Sequence, residues 1–332
     1  MTAQDLLWLF RALELARRGS PVQVEPNPPV GAVIAVGEQL LGEGYHRAFG
    51  GPHAEIEALR QVRETKLLEK ATLYVTLEPC CHTDKKTPPC VPEIVGAGIR
   101  RVVVGCEDPN PAVSGRGIEA LRAAGVEVLI VPDSRPFQAL LKHFRVSITK
   151  QRPYITLKWA QTSRSGALYE SGYIGSRTQG RWPISGFWGK VWGHRLRAAH
   201  SHIAVGYRTW ILDQPLLTTR YFPGENPKVL IFYEPQHGMP KEKDERFFPL
   251  TTPFEEMLKR LYLEHGVGSL LVEGGAALLQ RFIASGLYDE IHVLMRITRE
   301  VPPAPVLAPV MPVIRWRRRR LSPDEIVWVG HP

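Results

Sequence analysis

Between residues 52 and 90 the chain reads Pro52-His53-Ala54-Glu55, then Thr76-Leu77-Glu78-Pro79-Cys80, then Thr87-Pro88-Pro89-Cys90. One imidazole and two thiolates form a natural ligand set for a catalytic zinc, which keeps its fourth position for water. Glu55 follows His53 by two residues, early in an expected helix, where its carboxylate reaches that water without occupying the metal. The metal lowers the pKa of the water and the carboxylate moves the protons. Helix N-termini near His53 and Cys90 favour thiolate and hydroxide over their neutral forms. A His-x-Glu alone reads as a helix-surface pair; Pro-Cys, a second Cys and the elements between them turn the reading to a metal site. His-x-Glu followed by Pro-Cys-x-x-Cys is the signature of the zinc nucleobase deaminases. Here nine residues separate Cys80 from Cys90. Cys81, with eight residues between it and Cys90, is an alternative first thiolate, His82 is a near-miss ligand, and Cys106 reads as a plain buried thiol.

Working outward, helical spacing of Leu6, Leu9, Phe10 and Leu13 predicts a helix over 4–18, stopped by Gly19-Ser20-Pro21. Val30–Val36 and Gln39–Tyr45 read as strands joined by a turn at Gly37-Glu38. His53–Val62 reads as a helix, Thr72–Leu77 as a strand and Val91–Ala97 as a short helix. Strands at 101–105 and 126–131 flank a helix over 115–124, and 134–149 reads as a helix and linker. Strands separated by helices predict a layered α/β domain whose later strands are largely parallel. The boundary is placed at Arg152-Pro153. Beyond it, strands are expected at 154–159, 203–205, 228–232, 269–272, 290–295 and 326–329, and helices at 190–199, 254–264 and 276–284. Residues 301–312 hold five prolines and read as a loop or extended segment.

At 332 residues, with 23% charged and 44% hydrophobic side chains, the chain has the size of two globular domains. No apolar run approaches a membrane span. Leu6–Ala16, interrupted by Arg11 and Glu14, reads as an amphipathic helix and not a signal peptide. Four cysteines exclude a disulfide scaffold and fit a reducing cytoplasm. Residues 1–147 carry 17 charges of each sign, so the net +9 resides wholly in 148–332. A basic half suits nucleic acid or an anionic small molecule. Its densest run, Arg315-Trp316-Arg317-Arg318-Arg319-Arg320, reads as a solvated strand or hairpin edge that resists edge-to-edge pairing.

Pro26-Asn27-Pro28-Pro29-Val30-Gly31, Gly42-Glu43-Gly44-Tyr45-His46, Glu107-Asp108-Pro109-Asn110-Pro111 and Gly115-Arg116-Gly117 accompany the zinc motifs. Together they resemble the RibD family, bifunctional enzymes of riboflavin biosynthesis, over residues 4–298. The resemblance implies an α/β architecture: a cytidine-deaminase-like three-layer domain over 1–149, then a dihydrofolate-reductase-like domain over 150–332. It implies deamination of 2,5-diamino-6-(5-phosphoribosylamino)pyrimidin-4(3H)-one, then NADPH reduction of 5-amino-6-(5-phosphoribosylamino)uracil to the ribitylamino product. Carried over by motif, His53, Cys80 and Cys90 hold one Zn2+, Glu55 shuttles protons, and Asn27 and the Cys80–Cys90 loop contact substrate. In the second half, Thr209 and Asp213 match cofactor-binding positions, and Gly274-Gly275 matches the cofactor phosphate loop. Arg197, Leu217, Arg220 and Glu273 match substrate positions. The forks of Arg197 and Arg220 suit a phosphate.

Read without the resemblance, Arg197 is a helix-surface charge, Asp213 a turn residue, and Val272-Glu273-Gly274-Gly275 a simple strand-to-helix turn. The second half also departs from the family. Ser165-Gly166 stands where an Asp-Gly follows Lys-x-Ala, Trp182-Pro183-Ile184-Ser185 replaces Trp-Ile-Ser/Thr, and Asp213-Gln214-Pro215 replaces Asp-Asp-Pro. The rival readings are a deaminase with a degenerate reductase domain, a non-catalytic regulator, and a base deaminase directed at RNA or DNA; the Thr87-Pro88-Pro89-Cys90 loop and the Arg197–Arg220 stretch argue against a nucleic-acid partner. Enzymes of this kind often form homo-oligomers.

Overall fold

The computed structural model describes residues 1–81, 88–111, 113–178, 182–237, 244–251 and 253–332. His82, Thr87 and the rest of 82–87 lie outside the described residues. The chain divides into two compact units, Met1–Gln151 and Arg152–Pro332.

The first unit contains α1 (Ala3–Ala16), α2 (Pro21–Val24), β1 (Gly31–Val36), β2 (Gln39–Tyr45), α3 (Ala54–Leu59), β3 (Thr72–Val75), α4 (Cys90–Gly96), β4 (Arg101–Val104), α5 (Arg116–Ala123), β5 (Glu127–Ile130), α6 (Arg135–Leu140) and α7 (Lys142–Lys150). Its sheet runs β2-β1-β3-β4-β5, antiparallel around β1 and parallel from β3 to β5. Side chains alternate across a strand, so Ala32, Ile34, Leu73, Val75, Val102 and Val104 face α3, α4 and α5. Val33, Ala35, Tyr74 and Val103 face α1 and α6. The result is three layers with an apolar core on each side of the sheet. A capping box between Thr2 and Asp5 starts α1. A Cβ at Gly31 would lie 2.0 Å from the carbonyl oxygen of Ala12, so glycine sets how closely β1 approaches α1.

The second unit contains β6 (Tyr154–Ser163), β7 (Tyr173–Ser176), α8 (Phe187–Ala198), β8 (His202–Gly206), α9 (Tyr207–Asp213), β9 (Lys228–Tyr233), β10 (Phe247–Pro249), α10 (Phe254–Leu263), β11 (Ser269–Glu273), α11 (Ala276–Ser285), β12 (Glu290–Ile297), β13 (Pro305–Leu307), β14 (Arg315–Ser322) and β15 (Glu325–His331). Eight strands form one sheet, β10-β9-β8-β11-β6-β12-β15-β14. It is parallel up to β12 and ends in the antiparallel hairpin β15-β14. Ile155, Leu157, Trp159, Leu270 and Val272 join the main core with Leu279 and Phe282 of α11. Alternation sends Lys158 and Glu273 to the opposite face.

The structure adjusts several expected bounds. The helix expected to reach Val62 ends at Leu59, because Gln61 and Val62 turn back to carbonyls three residues away. Residues 134–149 form two helices, and β13 in the proline-rich segment pairs with β7. Strand β7 and helix α9 escaped the sequence reading because both are short and lack clean periodicity. No described helix is long and apolar enough to cross a membrane.

Candidate active site

Three elements converge in the first unit. His53 is the N-cap of α3, Cys90 is the first residue of α4, and Cys80 lies in the loop after β3. His53 Nδ1 is 3.1 Å from Cys90 Sγ and 3.5 Å from Cys80 Sγ. A tetrahedral centre with bonds of about 2.0–2.3 Å has edges of about 3.5 Å, so these three atoms fit a zinc ion. Among the described residues this is the one His/Cys/Asp/Glu group of that kind; Cys81 is not part of it. A hydrogen bond from Cys90 holds Cys80 far below an ordinary thiol, while the same bond and burial push Cys90 up. Zinc binding would require both sulfurs as thiolates.

Glu55 is buried at 3% exposure beside these ligands. Burial pushes its carboxyl above the usual range, and the neighbouring His53 opposes that shift. A cleft of about 570 Å3 opens here, lined in part by Pro52, His53, Ile56, Arg60, Pro88 and Glu93.

Two supporting residues carried no role in the sequence reading. His46, buried, places Nδ1 3.0 Å from the Pro52 carbonyl, which only accepts. Nδ1 therefore carries the proton, and Nε2 accepts from Asn27 Nδ2 at 3.2 Å. This fixes which way the Asn27 amide faces. Glu78, buried at 4% exposure, accepts from the backbone N–H groups of Asp108, Gly115, Gly117 and Ile118 at 2.7–3.2 Å. It ties the segment carrying Cys80 to the start of α5.

In the second unit, parallel register pairs Glu273 with Lys158. Lys158 Nζ lies 3.4 Å from Glu273 Oε2, and Arg197 of α8 closes on the same carboxylate through Nε at 2.9 Å and Nη2 at 2.7 Å. Arg197 is therefore a partly buried ion-pair partner and not a surface charge; its third donor goes to the Thr218 carbonyl. Burial pushes Lys158 down, and the two cations hold Glu273 at about 2. Leu217 packs in the core with Ile203, Val205 and Leu271, at φ +51°. Arg220 is exposed and stacks on Tyr221, 5.3 Å from the ring centroid. His194, one turn before Arg197, accepts from the Tyr221 N–H. Lys158 and His194 went unread because their partners are distant in sequence.

Gly274 (φ +109°) and Gly275 (φ +55°) form the turn into α11. A Cβ on either would stand 3.1 Å from the Thr209 side chain, so the glycines let the turn into α11 pass close to Thr209. Asp213 ends α9. At the turn where Ser165-Gly166 replaces Asp-Gly, Glu170 supplies a carboxylate to Ser163, Arg164 and Ser165.

A three-layer sheet carrying His/Cys/Cys ligands beside a buried glutamate defines a zinc-dependent deaminase of the cytidine-deaminase class, joined here to a dihydrofolate-reductase-like domain. Residues 2–106 match the cytidine and deoxycytidylate deaminase zinc-binding region, and 153–296 match the RibD C-terminal domain. The chain is 37% identical over 319 residues to riboflavin biosynthesis protein RibD of Aquifex aeolicus, covering 88% of this chain and 86% of that one. It is 32% identical over 333 residues to the Escherichia coli protein, covering 87% of each. Among solved structures, Acinetobacter baumannii RibD superposes with a TM-score of 0.83 at 30% identity over 99% of both chains. The Thermotoga maritima diaminohydroxyphosphoribosylaminopyrimidine deaminase/5-amino-6-(5-phosphoribosylamino)uracil reductase gives 0.81 at 30% identity, also over 99% of both. The chain belongs to the RibD family: a riboflavin-biosynthesis enzyme with a zinc deaminase half and a reductase half that uses NAD(P)H.

Proposed function

We propose that the first unit hydrolyses the amino group of 2,5-diamino-6-(5-phosphoribosylamino)pyrimidin-4(3H)-one. The second unit then reduces 5-amino-6-(5-phosphoribosylamino)uracil with NADPH. The observation that carries the reading is the His53/Cys80/Cys90 triangle with Glu55 buried against it. Zinc bound there supplies the Lewis acidity that makes water a nucleophile near neutral pH. Glu55 takes the proton given up by that water and returns it to the departing amino group, which leaves as ammonia. Its raised affinity for protons suits both halves of the exchange. Asn27, its amide fixed by His46, presents one orientation of donors and acceptors to the pyrimidine edge.

In the second unit, Thr209, Gly274 and Gly275 would hold a cofactor phosphate, with Asp213 nearby at the end of α9. NADPH supplies the hydride when bound. Lys158, the partly buried cation beside Glu273, would give the accompanying proton. The fork of Arg197 is spent on Glu273, so the substrate phosphate falls to Arg220 at the exposed rim, while Arg197 shapes the floor. Leu217 contributes through its backbone, since its side chain is in the core.

The test is to incubate zinc-loaded chain with the diaminopyrimidine substrate and follow product mass. A gain of about one mass unit without NADPH, as NH2 is replaced by oxygen, and a further gain of about two with it, is expected. The first gain without the second would leave a deaminase only, and no change in either condition would end the proposal. His53→Ala should lower bound zinc and deamination together; unchanged metal content would remove His53 from the ligand set.

A further inference from the structure

The most charged strand of the second unit carries none of the residues assigned to either site. Strand β14 is an outer strand of its sheet, paired on one side with β15. Arg315, Arg317, Arg318, Arg319 and Arg320 are all exposed, and none forms an ion pair with a described acidic residue. Guarding an edge against pairing needs one or two charges; five guanidinium groups on six positions repel each other without relief. Alternation puts Arg315, Arg317 and Arg319 on one face at a repeat of about 6.7 Å. Arg319 lies over Trp192 of α8 at 5.5 Å, and Arg195 lies over the same ring at 5.6 Å. Trp188 stands one turn before Trp192 on α8 and is 54% exposed, edge-on to Phe187, which is 59% exposed. Evenly spaced cations thus run beside open aromatic rings.

We infer that this face, formed by β14 and α8, binds single-stranded RNA. The arginine repeat is of the order of one nucleotide along an extended strand, and guanidinium forks stacked on indole keep their donors free for phosphate. Trp188 and Phe187 offer stacking platforms to bases. An acidic protein would satisfy the arginines and leave the rings without a role. A second copy pairing along the same edge would set arginine against arginine. The surface is separate from deamination and requires no base chemistry.

The test uses the zinc-loaded full chain and a fluorescein-labelled uridine 20-mer, with anisotropy read across a KCl series. Four phosphate contacts, from Arg195, Arg315, Arg317 and Arg319, give a log–log slope of about −2.8, so affinity falls about fiftyfold between 50 and 200 mM. R317S/R319S should cut that slope by about 1.4, and R317K/R319K should restore it. W188A should weaken binding about tenfold at an unchanged slope. NADPH-dependent reductase turnover of each variant, expected to match the parent, reports that the second unit is folded. Absence of binding at 50 mM, or a slope untouched by R317S/R319S, overturns the inference. So does competition by polyglutamate combined with indifference to W188A, which would mark an acidic-protein surface.

Discussion

Glu78→Gln isolates what a buried carboxylate does for the metal-bearing segment. Oε2 accepts from Asp108 N at 3.1 Å and Gly115 N at 2.9 Å; Oε1 accepts from Gly117 N at 2.7 Å and Ile118 N at 3.2 Å. Glutamine keeps the shape and replaces one oxygen by an NH2 group. Whichever way the amide turns, two backbone N–H groups then face donors. Each buried N–H left without an acceptor costs about 1–3 kcal/mol, so the loss is about 2–6 kcal/mol despite the isosteric change. In a unit of this size 1 kcal/mol corresponds to about 2–4 °C, so the first unit should melt at least about 4 °C lower. Cys80 follows Glu78 by two residues, so zinc should be released at the same reduced temperature. The assay heats the full chain with a chromogenic zinc chelator and tracks NADPH-dependent reduction in parallel as the control for the second unit. Release within about 1 °C of the parent would refute the claim that these four bonds hold the segment.

Glu55→Ala should keep zinc and lose deamination by at least about a hundredfold, since proton transfer is its contribution; substantial turnover in a zinc-loaded variant would contradict that role. Arg220→Ala should raise the KM of the reductive step with little change in kcat, whereas Arg197→Ala should unfold the second unit at lower urea, because it takes the closer of two cations from a buried carboxylate and leaves only Lys158. Equal behaviour of the two variants in both assays would show that their roles are not divided. Burial, with help from Arg197 and Arg220, holds His194 at about 4 against an ordinary 6.5. Between those values the unfolded state takes up a proton that the folded state refuses, so the second unit loses stability as pH falls from 6.5 towards 4. His194→Asn should flatten that limb of a urea-midpoint profile; an unchanged profile would assign the loss to another group.

The deaminase chemistry was legible because it rests on residue types at local spacing. His53 and Glu55 share one turn, Pro79-Cys80 follows a strand, and Cys90 opens a helix, so hydrophobic periodicity was enough to bring them to the same end of a sheet. Which cysteine binds was not legible: Cys80 and Cys81 are adjacent, and only the path of the chain after β3 turns one sulfur towards His53. Nor was the orientation of Asn27, which depends on a proton fixed in His46 by the Pro52 carbonyl.

The second unit shows the opposite balance. Its strands and helices follow from alternating apolar runs, yet its charged centre does not. Lys158 and Glu273 lie 115 residues apart and meet because β6 and β11 pair in parallel register. Arg197 reads as one more helix cation until α8 is laid across that pair, and Glu170 serves a turn five residues upstream of it. Local sequence was enough for most elements and for the His53, Glu55 and Cys90 of the zinc motif, because these depend on periodicity and on the identity of near neighbours. Tertiary structure alone decided the ion-pair partners and tautomers, because buried charges and protons are governed by whichever group the fold brings within about 3 Å of them.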